Sequence, residues 1–234
     1  MASILDGLSA ALYLIATFDA DMVEIAARSL VVSGSATIIA TAIGVPLGAC
    51  LAVYRFRFRR AAIAGLNTLI ALPPVTVGLL LYLLLSRSGP LGALGLLFTP
   101  TAMIAAQVLI ATPLIASIAH QALRELWADY HDLLISLGTS RRQRVMTLMM
   151  DGRRALLTAS LAGFGRAMGE VGAVMIVGGN IDHATRVLTT AIALETGKGD
   201  FALALALGII LIVLALAVNA LVHIIARTER GGRW

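Results

Sequence analysis

The sequence is poor in charge and in cysteine, and each shortage excludes something. Only 13% of its 234 residues are Asp, Glu, Lys or Arg, against about 25% in a soluble globular domain. A single cysteine, Cys50, rules out an intramolecular disulfide. Its place inside an apolar run reads as a small buried hydrophobe. No G-x-x-x-x-G-K-[ST] stretch occurs, so the chain lacks a P-loop to cradle ATP phosphates. His120, His131, His183 and His223 are scattered with no evident partner, and no His, Cys or carboxylate set has metal-ligand spacing. No Ser, His, Asp arrangement presents itself either. An enzyme is not expected, and neither a cofactor nor a metal. The opening stretch, MASILDGLSAALYLIATFDADMVE, has no basic start and runs straight into acids, unlike a secretory signal. No polar linker or low-complexity stretch divides the chain, so residues 1–234 are expected to form one domain.

What is present is apolar. Hydrophobic residues make up 59% of the chain and the mean hydropathy is +0.92. Apolar runs fall at 30–54, 61–85, 100–120, 155–177 and 201–226, each near the roughly 20 residues that a helix needs to cross hydrocarbon. The expectation is an all-α polytopic membrane protein with about five spans. Residues 8–18 are too few to span and precede Asp19, Asp21 and Glu24, so 1–29 reads as an interfacial segment, with a sixth span as the alternative.

The net charge of +5 does not point to nucleic acid, because the basic residues sit in short clusters beside the apolar runs. Arg55, Arg57, Arg59 and Arg60 lie between spans one and two. Arg124, Arg141, Arg142, Arg144, Arg153 and Arg154 lie in the long link 121–154, and Arg227, Arg230 and Arg233 in the tail. The opposite side carries only Arg28, Arg87, Arg186 and Lys198. The positive-inside rule then predicts an N-terminus outside and a C-terminus in the cytoplasm, which requires an odd number of spans.

Two spans contain features that lipid-facing helices avoid. Pro73 and Pro74 remove two backbone donors in the middle of span two. At about 1.5 Å of rise per residue, that break comes near the bilayer midplane. Non-helical backbone persists there only when buried in protein or lining a cavity, so a pore-lining break and a packed kink both stand. Pro46 and Pro113, each alone, read as kinks. Span four holds Gly165 and Gly169, a small-xxx-small pair that admits a close helix, and the spacing recurs at Gly44 and Gly48. Arg166 and Glu170 are four apart in span four and are expected on one helical face, as a structural ion pair or beside a substrate path.

The link ALRELWADYHDLLISLGTSRRQRVMTLMMDGRR reads as helix, glycine turn, helix. Leu133, Leu134 and Leu137 precede Gly138, and Val145, Leu148 and Met149 follow on one side. With its basic rim, such a hairpin suits docking of a cytoplasmic partner better than a solvated loop.

This link resembles the EAA-type loop of ABC-importer permeases, with Asp132 in the Glu place, Gly138 in the Gly place and Leu148 in the Ile place. It departs from that pattern at Leu133 and Leu134, and at Met150 and Asp151. The stretch GRAMGE at 165–170, running into VGGNI at 177–181, is similar to a segment of molybdate, sulfate and tungstate permeases. Segments 67–78, 86–97 and 185–201 resemble the tungstate branch.

The resemblance implies an importer-type helical permease in a prokaryotic inner membrane. It would be a homodimer forming the path of an oxyanion, tungstate first, with molybdate or sulfate as alternatives. Two cytoplasmic ABC ATPase subunits would hydrolyse the ATP, and an extracytoplasmic binding protein would deliver the substrate. On this resemblance Asp132, Leu134, Leu137, Gly138, Thr139, Ser140 and Arg141 couple to the ATPase. Pro73, Pro74, Gly165, Arg166, Gly169 and Glu170 are the pathway or gate candidates. A gradient-driven transporter is the rival from another class, although Glu170 is the one midplane carboxylate and no clear internal repeat supports it. A membrane scaffold would leave the docking link and the broken span unexplained.

Overall fold

The computed structural model describes residues 4–17 and 19–228; Phe18, Arg230 and Arg233 lie outside the described residues. Every regular element among the described residues is helical. The order is α1 (Ile4–Thr17), α2 (Ala20–Val53), α3 (Arg59–Ala71), α4 (Pro74–Leu85), a 3₁₀ turn (Gly92–Leu94), α5 (Pro100–Ser136), α6 (Arg141–Asp151), α7 (Arg153–Met168), α8 (Gly172–Gly178), α9 (Leu188–Lys198) and α10 (Phe201–Thr228).

Three helices, α2, α5 and α10, are each long and apolar enough to cross a membrane. Two bent pairs pass the same test when joined, α3 with α4 across a 95° bend and α7 with α8 across a 59° bend. Both α2 and α5 run on through their single prolines, Pro46 and Pro113.

The first bend follows from proline chemistry. Leu72 adopts φ −61° and ψ 132°, the extended form that a following proline imposes. Pro74 then opens α4, where its missing N–H costs nothing because the first helical N–H groups have no partner anyway.

The chain clusters into two compact units. Their boundaries fall within α2 and α5 and at the two helix breaks. One unit comprises Gly34–Pro73 and Gln107–Ala167. Its core is built from small residues, Ala40, Ala49, Ala52, Ala111, Ala119 and Ala159, interleaved with Ile115, Leu123, Leu148 and Leu156. Small side chains let helices approach closely where lipid supplies no hydrophobic drive between them. A Cβ added at Gly44 would lie 3.0 Å from the Thr112 carbonyl oxygen, and one at Gly163 2.4 Å from Ile115 Cδ1. Polar ties reinforce the packing. Gln107 Nε2 donates to the Ala167 carbonyl at 2.9 Å and Ser117 Oγ to Asn67 Oδ1 at 3.1 Å.

The other unit comprises Met1–Ser33, Pro74–Ala106 and Met168–Trp234. Here α4 packs on α8, α9 on α10 and α1 on α10. A Cβ at Gly78 would meet the Ala173 Cα at 2.7 Å, so α4 and α8 touch backbone to backbone. Met22, Leu188, Ala191, Leu207 and Ile210 form a buried cluster. The start of α9 is tied to α2, since the Leu188 N–H donates to Ser29 Oγ at 2.7 Å. Leu216, Leu221 and Ile224 of α10 stay exposed, as a helix that meets lipid or another chain requires.

Candidate coupling loop and broken spans

The long link folds as a helical hairpin. Helix α5 ends at Ser136, and Gly138 then takes φ +66°. That left-handed conformation disfavours any residue carrying a Cβ. The Gly138 N–H donates to the Ile135 carbonyl at 2.9 Å and the Thr139 N–H to that of Leu134 at 3.2 Å, closing the helix end. Thr139 Oγ1 donates to the same Leu134 carbonyl at 2.5 Å and accepts from Arg144 Nε at 3.2 Å. Ser140 caps α6. Its Oγ accepts from the Gln143 N–H at 3.3 Å, while Gln143 Oε1 accepts from the Ser140 N–H at 2.7 Å. This reciprocal capping box was legible as Ser-x-x-Gln ahead of the second helix, a signal the sequence reading passed over.

The apolar residues around Gly138 divide between the two faces. Leu134 is buried, whereas Leu133, Ile135 and Leu137 are 53%, 46% and 66% exposed. Val145, Leu148 and Met149 turn to the core, while Met146 and Met150 face outward. The outward set therefore includes Ile135 and Met146, which the sequence reading did not single out, and Met150, named there only as a departure from the EAA-type pattern. Asp132 is fully exposed, and its Oδ1 lies 2.8 Å from His131 Nδ1. Arg141 sits over the Tyr54 ring at 6.0 Å. A Cβ at Gly138 would meet nothing within 4 Å. Backbone conformation, and not crowding within this chain, is what selects glycine there.

At the first break, Leu72, Pro73 and Val75 are exposed and Pro74 half-buried. The second break corrects a sequence expectation. Arg166 and Glu170 do not share a helical face, because α7 stops at Met168 and α8 starts only at Gly172. Glu170 instead caps the second half of the span. Its Oε1 accepts from the Ala173 N–H at 3.1 Å, a favourable place for a carboxylate beside an uncompensated helix start. Its carbonyl accepts from Thr189 Oγ1 at 3.0 Å. Glu170 is buried, Arg166 half-buried, and Gly165 and Gly169 exposed. Among the described residues nothing lies within 4 Å of a Cβ added at Gly165, so none of their helices packs closely on that glycine.

Histidines that looked partnerless in the sequence have neighbours. His183 Nδ1 lies 2.9 Å from Glu24 Oε2, a residue 159 positions away. Glu24 also pairs with Arg28, and Arg28 donates to the His183 and Arg186 carbonyls at 2.8 and 3.2 Å. Arg186 in turn pairs with Asp182 at 2.7 Å. The Glu24 carboxylate, with the Asp182 charge behind it, holds the His183 imidazole above its ordinary value of 6.5. Ligand atoms of Asp21, Glu24 and His183 lie within 4.8 Å of one another. A cation there would have to displace Arg28, which already neutralises Glu24. Elsewhere, Arg59 lies 3.4 Å from His120 Nε2.

Spans, broken spans and a capped hairpin together define a multi-pass membrane protein. The chain belongs to the family of binding-protein-dependent transport system inner membrane components, whose family model matches residues 44–231. It is 39% identical to the tungstate uptake system permease protein TupB of Peptoclostridium acidaminophilum, over 95% of this chain and 98% of that one. It is 37% identical to the TupB of Campylobacter jejuni, over 96% and 94% of the two chains. A probable anion ABC transporter permease protein of Haloferax volcanii is 40% identical over 86% and 88%.

Proposed function

We propose that this chain is the tungstate-conducting permease subunit of an ATP-driven ABC importer. The observation that carries the reading is near-full-length similarity to tungstate permeases of two different organisms. The whole chain acts as one permease domain, and two copies form the pathway. Two cytoplasmic ABC ATPase subunits hydrolyse ATP, and an extracytoplasmic protein delivers the oxyanion. The basic ends of the spans face the cytoplasm, which leaves the N-terminus outside.

Asp132, Leu134, Leu137, Gly138, Thr139, Ser140 and Arg141 form the coupling hairpin. The exposed Leu133 and Leu137 are its contact surface, and Leu134 anchors it inside. Pro73 and Pro74, with Gly165, Arg166, Gly169 and Glu170, mark the two broken spans that line or gate the path. Irregular backbone at such depth is tolerated where it lines a cavity, which supports this placement. Glu170 acts by holding the start of α8 and not as a ligand for a dianion.

The test is uptake of labelled tungstate by cells carrying this chain with its ATPase and binding protein, competed with molybdate and with sulfate. ATP-dependent uptake that only excess molybdate or sulfate suppresses supports tungstate. Preferential uptake of molybdate or sulfate would reassign the substrate, and uptake that needs an ion gradient but no ATPase would overturn the importer reading.

A further inference from the structure

We infer that a cationic groove where α2 ends beside the coupling hairpin binds the phosphate of an anionic phospholipid headgroup. This inference is independent of which oxyanion the transporter carries. The groove is an open depression of about 190 Å³, and Arg55, Arg141 and Arg144 line it together with Tyr54, Trp127 and His131. Among the described residues, none of the three guanidinium groups is paired with a carboxylate. No carboxylate lines the groove, and Asp132, next in sequence to the lining residue His131, is engaged by it at 2.8 Å.

Two of the arginines are held in place without being neutralised. Arg141 rests over the Tyr54 ring at 6.0 Å, an attraction that leaves its charge available. Arg144 spends only Nε on Thr139 Oγ1. A planar guanidinium fork matches phosphate oxygens two at a time, so three such groups around one depression suit a phosphate.

The segment that follows the lining residue Arg55 points to a lipid and not to a free anion. Residues 54–60 read Tyr-Arg-Phe-Arg-Phe-Arg-Arg and join the end of α2 to the start of α3. Phe56 and Phe58 are 48% and 69% exposed, and Arg55, Arg57 and Arg60 are exposed beside them. A free dianion has no use for exposed phenyl rings. A lipid does, because its phosphate meets the arginines while the rings enter the acyl boundary. Arg59 is withdrawn from this set, since its Nε donates to the Leu51 carbonyl at 2.7 Å and so fixes the loop against α2.

The experiment uses the assembled transporter in detergent, carrying Trp234→Phe so that Trp127 is the one tryptophan of this chain. An ATPase alone serves as the blank. Brominated short-chain phosphatidylglycerol and phosphatidylcholine are titrated and Trp127 quenching is followed. The expected result is saturable quenching by phosphatidylglycerol, with far weaker quenching by phosphatidylcholine. Each arginine removed should weaken the apparent affinity about fivefold, and Arg55→Gln, Arg141→Gln and Arg144→Gln together on the order of a hundredfold. The matching lysine triple should retain most of the binding, and Phe56→Ser with Phe58→Ser should weaken phosphatidylglycerol while leaving any competition by inorganic phosphate unchanged. Equal quenching by the two lipids, or a glutamine triple that binds like the parent, would overturn the site. Competition by millimolar inorganic phosphate as effective as that by lipid would overturn the lipid assignment. Should the glutamine triple fail to assemble, the lysine triple and the phenylalanine pair still decide the matter by the same readout.

Discussion

Gly48 and Ala116 stand so close that a Cβ built on Gly48 would lie 2.6 Å from the Ala116 carbonyl oxygen. The same Cβ would be 2.8 Å from the His120 nitrogen. Both neighbours are backbone, so no side chain can swing away to make room. Gly48→Ala is therefore expected to lose about 1–3 kcal/mol through overpacking. Gly65→Ala in α3 meets nothing within 4 Å and should be neutral or slightly stabilising, since alanine favours helix. Thermal unfolding of the two variants in one detergent checks the contrast, and equal losses would sink the packing account.

Gly138 is constrained by its dihedral angle alone. Gly138→Ala should cost about 1–2 kcal/mol of hairpin stability, and Gly138→Asn less, because asparagine tolerates the left-handed region. Gly138→Glu adds a long charged side chain to an open face and is expected to abolish co-purification of the ATPase. Uptake and one-to-one association unchanged in Gly138→Glu would remove the coupling role.

Glu170 holds the Ala173 N–H at the second break. Glu170→Ala leaves that buried donor unmet and should destabilise the protein by about 1–3 kcal/mol. Glu170→Gln keeps an acceptor oxygen and should restore most of the stability. Unfolding midpoints test the cap, and tungstate uptake by the glutamine variant tests whether the charge matters beyond it. Equal stability of the alanine variant and the parent would exclude the capping role.

The Glu24–His183 contact predicts a pH dependence with a definite sign. Because the fold raises the His183 value above 6.5, chiefly through the Glu24 hydrogen bond, the folded state favours the protonated ring. Its contribution is complete below 6.5 and fades as pH climbs through the raised value. His183→Gln should flatten the stability profile across that window, as should high salt, since both partners are solvent-accessible. A parent profile that rises through the same window would contradict the contact.

Much of the fold could be read from the sequence because long apolar runs and their basic flanks follow from one requirement, crossing hydrocarbon. The helix, glycine turn and helix around Gly138 were legible for a similar reason, since pattern and turn chemistry agree there. Other features needed coordinates. Gly169 is a stop signal, but one no stronger than Gly163, Gly165 or Gly172 in the same span, so Arg166 and Glu170 looked like neighbours on one face. The Glu24–His183 contact joins residues too far apart in the chain for any spacing rule. Gly44 with Gly48 and Gly165 with Gly169 share one pattern but differ in outcome. Both admit a close helix, yet in this chain α5 arrives at the first pair while Gly165 stays open.

The reciprocal capping of Ser140 and Gln143, together with the Thr139 hydroxyl bonds, has a kinetic consequence. The bonds that cap the hairpin are made wholly within this chain. A segment that must fold on contact loses conformational freedom at that moment and binds more weakly for it. In the proposed coupling role that ordering would precede the encounter, and docking would be a collision of two formed surfaces. Association should then be limited by orientation and diffusion, and a thrust delivered at the hairpin should reach the spans as displacement and not dissipate in local unfolding.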